Sequence, residues 1–235
     1  MARKQATTLN EIGKAAAAYI TRHGYKQTQM ADLAKEIGVS AGTLYAYVAN
    51  KEALLNLATE FLIDPRQLSD VDLPIQARSR DELVKLFVKT AEKWARWPRL
   101  SHALTEVKTD HETLRAIGDE IYSLIRQHGP AILFLDRLAN ELPDIASVHL
   151  DQVRGGLLRD LATLLLNAGA RQGPYATAII ARAAMEGISW SAMHRLREGL
   201  THQPTGDLTE DDIRGLASET FAHALRAALI QNQDT

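Results

Sequence analysis

A chain of 235 residues, 46% hydrophobic and 24% charged, can bury a full core as one large domain or a small one joined to a larger one. A net charge of −2 excludes a strong overall attraction to nucleic acid, and the lack of cysteine excludes disulfides, thiolate metal sites and cysteine nucleophiles. The opening residues lead into no apolar run of signal-peptide type, and no stretch reaches membrane-spanning length, so a cytoplasmic protein without a membrane partner is expected.

Thr8 reads as the cap of a first helix in which Leu9, Ile12, Ala16, Tyr19 and Ile20 share a face, closed by His23 and Gly24. Leu33, Ala34 and Ile37 give a second, shorter helix one apolar face. Gly38 stops it, because glycine accepts positive φ, and Val39 plugs the corner. Ser40 is a good N-cap for a third helix, with Leu44 and Val48 facing inward and Thr43, Tyr45, Ala46 and Tyr47 partly outward. Asn50 caps a fourth helix, with Glu52 in its first turn and its end near Leu62. Two short helices across a glycine turn form the layout of a helix-turn-helix, whose second helix enters the DNA major groove.

Residues 64 to 78 hold two prolines and little periodicity and read as a linker. Ser79 and Glu82 form a capping box for a helix to Trp97, and Pro98 permits a new short one. Asp110 caps a helix with Leu114, Ile117, Ile121 and Leu124 on one side, and Gly129-Pro130 separates it from another that ends near Leu142. Pro143-Asp144 precedes a long helix to about Ala170, and Gly173-Pro174 starts one to about Leu200. A loop over 201 to 208 and an N-terminal signature at Thr209 to Asp212 lead into a last helix to about Gln231.

At Thr28, Asp32-Leu33-Ala34, Gly38-Val39-Ser40, Gly42-Thr43-Leu44-Tyr45, Tyr47 and Lys51-Glu52-Ala53-Leu54 the sequence resembles the TetR family of bacterial transcriptional repressors. The resemblance covers roughly residues 8 to 62 without a gap; Val48 departs from the phenylalanine more usual there but still fills the inward position. It implies an all-α fold with a three-helix DNA-binding domain over 1–63 and a larger helical domain for effector binding and dimerisation over 64–235. It also implies a homodimer through the last two long helices, where Ala176, Ala178, Ala181, Ala183, Ala184 and Gly187 are followed by Ala217, Ala222, Ala224, Ala227 and Ala228.

Ser40, Thr43 and Tyr47 carry hydroxyls suited to phosphates, and Thr28 and Lys51 lie at helix starts. The resemblance points to the same positions for backbone contacts, with Gly42 among them. Tyr45 and Ala46 offer apolar surface to thymine methyls. No Arg or Lys stands between Lys35 and Lys51, so specificity is expected from methyl contacts, from DNA shape and from Arg3 and Lys4 in a minor groove. Residues 1–63 carry seven Lys/Arg and five Asp/Glu, net about +2, leaving about −4 for the remainder, as suits a DNA-contacting end on a body that does not touch DNA.

Trp94, Trp97, His102, Tyr122, Met185 and Trp190, with Phe134, Met193 and His194, are candidates to line an effector pocket, although aromatics and methionines at helical spacing are core residues more often than ligand contacts. Gly155-Gly156 inside a helix implies close packing or space beside a ligand, and Arg154 and Arg159 flank it. His111-Glu112 begins like a zinc-protease helix but lacks the second histidine, and there is no phosphate-binding glycine loop and no Gly-x-Ser-x-Gly elbow. The eight histidines show no pairing at ligand spacing on one helix. Neither catalysis, nor a metal, nor a cofactor is expected.

Three readings follow. The first is a homodimeric repressor on a double-stranded operator, released by a small molecule that shifts the spacing of its heads through the helix from Asn50 to Leu62. The second is a DNA-binding protein of the same fold controlled by a protein partner, without a small-molecule pocket. The third is a helix-turn-helix attached to a catalytic domain, against which stands the lack of a convincing acidic metal cluster.

Overall fold

The computed structural model describes residues 7–68, 71–195 and 208–229. The described residues are helical, and the only β pairing among them is an isolated bridge between Val48 and Ile75. The chain divides into two compact units, Met1–Glu92 with Pro130–Leu150, and Lys93–Gly129 with Asp151–Thr235.

In the first unit α1 is Leu9–His23, α2 Met30–Ile37, α3 Ala41–Tyr45 and α4 Lys51–Ile63. Helix α1 starts where expected: Glu11 N–H donates to Thr8 Oγ1 at 3.2 Å, and Thr8 N–H donates to the Glu11 carboxylate at 2.7 Å. That backbone donation, with the Thr8 hydroxyl, holds the Glu11 carboxyl below its ordinary range. Ile12, Ala16 and Ile20 of α1 are buried, as are Leu54, Leu57 and Ala58 of α4, against which α1 packs. Each fully buried Ile or Leu here contributes roughly 1.5–3 kcal/mol. Gly13 sets the approach of the two helices, since a Cβ there would stand 2.9 Å from Phe61 Cβ.

The segment after α4 is more ordered than its composition suggests. A 3₁₀ turn, Pro65–Leu68, buries Leu68, and further on Ile75 N–H donates to Tyr47 C=O at 2.8 Å while Ala49 N–H donates to Ile75 C=O at 3.0 Å. Arg78 pairs with Glu60. Helix α5, Arg80–Trp94, follows the expected Ser79–Glu82 box but stops before Trp97.

The second unit contains α6, Pro98–Glu106, with proline at its first position. Helix α7 is His111–Ala139, so Gly129-Pro130 does not separate two helices: Pro130 lies inside one. Proline removes one helical hydrogen bond and crowds the carbonyl four residues back, which bends a helix without having to end it. Here Pro130 and Arg126, whose carbonyl loses its donor, are both exposed to water. The long helix expected after Pro143 is also divided, into α8 Pro143–Ser147, a π-helical turn Val148–Arg154 and α9 Gly155–Asn167. Helix α10, Gly173–Ser189, runs into a second π turn, Trp190–His194; its expected continuation to Leu200 and the loop over 201–207 lie outside the described residues.

Helix α11, Glu210–Arg226, opens on the expected capping signature, with Thr209 Oγ1 accepting from Asp212 N–H at 3.2 Å. Its start is anchored by Glu210, whose carboxylate accepts from Tyr122 Oη at 2.6 Å, Arg195 at 2.6 Å and Arg126 at 2.9 Å. Burial pushes the Glu210 carboxyl up, but the Tyr122 and Arg195 hydrogen bonds outweigh it and hold it below the usual carboxylate range. Gly118 of α7 admits α11 closely, because a Cβ there would lie 3.0 Å from Ser218 Cα.

Candidate nucleic-acid interface

The turn between α2 and α3 is built as its residues require. Gly38 adopts φ 78° and ψ 29°, the left-handed region, and Val39 N–H then reaches back to Ala34 C=O at 2.9 Å. Ser40 is extended, and its Oγ accepts from Thr43 N–H at 3.0 Å. Leu33, Ala34, Leu44 and Val48 are buried and fix the two helices to each other. Asn50 Oδ1 accepts from Ala53 N–H at 2.8 Å and starts α4. Ser40→Ala removes a cap worth about 1 kcal/mol. Its melting temperature should fall accordingly in a thermal unfolding scan, and an unchanged value would show that water replaces the cap.

The expected DNA-facing residues separate into two groups. Ser40, Gly42, Thr43, Tyr45 and Ala46 are exposed together on and around α3, with Tyr45 47% accessible. The others carry structural contacts. Tyr47 is half-buried and its hydroxyl donates to Thr7 C=O at 2.6 Å, tying down the entry to α1. Lys51 Nζ donates to Lys26 C=O at 3.0 Å and lies 4.8 Å from the centre of the Tyr25 ring. Burial, with Glu52 alongside, pushes the Tyr25 hydroxyl up to about 12. Thr28 stands one residue before the N-cap of α2. It is 1% exposed and its hydroxyl donates to Gly24 C=O at 2.7 Å, so its side chain shapes the corner before α2 rather than facing outward. Met30 and Leu33 draw the start of α2 into the core and Thr28 with it.

Two residues absent from the sequence reading hold this corner. Arg137, near the end of α7, donates to His23 C=O at 2.9 Å, and the Glu141 carboxylate accepts Lys26 N–H at 2.6 Å. They meet each other at 3.5 Å. Gly24, at φ 91° and ψ 155°, lies against both: a Cβ there would be 2.0 Å from Glu141 Oε1 and 2.7 Å from Arg137 Nη2. The partners stand more than a hundred positions apart in sequence, and nothing in the local pattern around Arg137 marks it.

All six expected effector contacts belong to the second unit. Trp94 stacks on His128 with ring centres 4.1 Å apart, and burial, aided by Lys93, pushes the His128 imidazole below its ordinary pKa. Trp97 is buried, its Nε1–H donates to Asp160 at 2.6 Å, and its ring lies 3.6 Å from where a Gly156 Cβ would stand. A Cβ at Gly156 would make only an ordinary contact with that ring, so packing against Trp97 does not by itself require the glycine. Tyr122 and Met185 are buried, whereas His102 and Trp190 are exposed. Arg154 pairs with Glu186 at 2.7 Å and Arg159 donates to Asp151 C=O at 2.8 Å.

Two short helices joined through a left-handed glycine, the second with polar and apolar groups exposed, form a helix-turn-helix, the arrangement whose second helix fits a DNA major groove. Residues 12–58 match the family described as "Bacterial regulatory proteins, tetR family". The match is confined to this head, residues 12–58, which is of the tetR-family type. It is similar to the Fatty acid metabolism regulator protein of Bacillus subtilis (strain 168), 32% identical over 80 residues, which is 34% of this chain and 41% of that relative. The match thus spans less than half the length of that relative. Among solved structures it is similar to the fatty acid degradation regulator FadR from Bacillus halodurans, at 17% identity and TM-score 0.44 over 95% of this chain and 97% of that one. A transcriptional regulator FadR from Bacillus subtilis in complex with stearoyl-CoA gives 18% identity and TM-score 0.43 over 92% and 96%. No helix among the described residues is long and apolar enough to cross a membrane.

Proposed function

We propose that this regulator is a homodimeric repressor that a small molecule releases from its operator. The observation that carries the reading is the exposed surface of α3, where Ser40, Gly42, Thr43, Tyr45 and Ala46 stand together over a buried Leu44 and Val48. Ser40 and Thr43 contact phosphates, and Tyr45 and Ala46 lie at base edges. Thr28 and Tyr47 act by holding the head in shape, whereas Lys51, at the start of α4, also offers its charge to a phosphate. Residues 1–63 form the DNA-binding domain and residues 64–235 the effector-binding and dimerisation domain.

A second copy covers α10 and α11. Along α10 and into the π turn after it, the exposed residues Tyr175, Ala178, Ile179, Ala183, Gly187 and Trp190 follow one another at intervals of one to four, a helical stripe. Tyr175 is 82% and Ile179 53% exposed, and α11 adds Leu216 at 58%. Side chains of this size left in water over two adjoining helices mark a contact surface. The small residues between them allow a close approach of helices, and a two-fold pair of heads suits a palindromic operator.

The effector site lies in the second unit, and the name of the Bacillus subtilis relative makes fatty acids and other acyl compounds the first to try. Such a ligand must bind the released arrangement of the heads better than the DNA-bound one, or it shifts nothing. The test is anisotropy of a labelled palindrome from beside the gene, titrated with protein and then with the acyl compounds. Release by a compound that also raises the melting temperature supports the reading. Stable DNA binding untouched by every compound points to control by a protein partner.

Lys51→Ala should weaken binding about equally on all sequences and reduce the slope of log K against log salt by about one. Affinity that stays the same at low and moderate salt removes Lys51 from the interface.

A further inference from the structure

We infer that His111, Glu219 and His223 form a binding site for one divalent transition-metal ion of the zinc class. Glu219 and His223 are four apart on α11 and so share a face. His111, the first residue of α7, comes from the other side, with Nε2 2.7 Å from Glu219 Oε1. His223 Nδ1 lies 3.5 Å from the same oxygen, and three ligand atoms, one from each residue, fall within 4.8 Å of one another. The two imidazoles meet edge to face, ring centres 4.9 Å apart.

Two imidazoles and a carboxylate are a donor set for zinc, with a fourth position left to water. Zinc binds such donors at about 2.0–2.2 Å, which places neighbouring donors about 3.3 Å apart in a tetrahedron. The two separations to Glu219 already lie on either side of that value. The third closes when His223, with 67% of its side chain in solvent, turns inward. His111 Nδ1 is buried and makes no hydrogen bond, so Nε2 is the nitrogen this residue presents. Either nitrogen of His223 serves: donation from Nδ1 to Glu219 C=O, 2.9 Å away, leaves Nε2 as the ligand and supports it from behind. Arg115 approaches the other oxygen of Glu219, Oε2, at 3.5 Å and leaves Oε1 to the histidines. The ion staples the start of α7 to the second half of α11. This inference does not depend on how the chain reads DNA.

The experiment uses the full chain without a histidine tag, stripped with a chelator and dialysed. Calorimetric titration with zinc chloride should show one ion per chain and a raised melting temperature, and cobalt(II) in its place should give the visible absorption of a tetrahedral site. His111→Ala, Glu219→Gln and His223→Ala should each weaken zinc binding at least about tenfold. His23→Ala, which removes a histidine from another helix, should bind as the unaltered chain does. His223→Ala, at an exposed position, should retain the helical circular dichroism of the metal-free protein, which separates loss of the ion from loss of the fold. The absence of saturable zinc binding overturns the proposal, as does unchanged affinity in the His111→Ala/His223→Ala double variant.

Discussion

Ile179→Glu is expected to leave the chain folded, make it monomeric, and weaken its hold on a palindromic operator at least about a hundredfold. Ile179 is 53% exposed within the chain, so the substitution costs the subunit within about 0.5 kcal/mol. Across a two-fold interface the same change places two carboxylates in apolar surroundings, where burying an unpaired charge is far more costly than any gain of contact. The loss on DNA follows from linkage of two heads. In a dimer the second head binds as an intramolecular event, and that advantage amounts to roughly 10²–10⁴. It weighs heavily here because α3 carries no Arg or Lys, leaving each head without the strong arginine–guanine contact. Sedimentation equilibrium reads the subunit state, and anisotropy on a full palindrome against one half-site reads the linkage. A variant that remains dimeric would move the interface away from α10.

Gly24→Ala should cost about 3 kcal/mol and lower the melting temperature by roughly 6–12 °C. The backbone at φ 91° and ψ 155° belongs to a region that side chains with a Cβ rarely enter. The new methyl would also displace the Glu141 carboxylate and the Arg137 guanidinium, which hold Lys26 N–H and His23 C=O. Both are tips of flexible side chains, so the backbone supplies the larger share. Introduced into a Glu141→Ala background, the same change should cost about 1 kcal/mol less, since the displaced hydrogen bond is already gone. Equal costs in the two backgrounds would assign the whole effect to the backbone.

The DNA-binding head was legible because its determinants are local. Thr8, Gly38, Ser40 and Asn50 act on groups within four residues of themselves, and cap, turn and apolar spacing all agree. The burial of the Thr28 side chain was not legible, because it depends on how the whole corner folds around Gly24, which spacing does not encode. Gly129-Pro130 misled for a related reason. Proline's tendency to end a helix is local, whereas α7 is held on both sides of it by buried Ile121, Ile125, Ala131 and Phe134. Trp97 and Tyr122 carry aromatic and polar groups that suit a ligand as well as a core, and only coordinates show them committed to Asp160 and Glu210. His111 and Glu219 lie on separate helices, and the search for histidine pairs along one helix passes over such a cluster.

The bridge between Val48 and Ile75 decides where the head can be excised or transplanted. Cutting the chain at the end of α4 would strand Tyr47 C=O and Ala49 N–H at the close of the DNA-reading turn and remove Leu68 and Arg78 from their partners. A fragment that carries the chain through Arg78 keeps them. The smallest portable reading head is therefore longer than its helices, and a chimera joined at residue 63 would inherit a frayed recognition helix, whereas one joined beyond residue 78 would not.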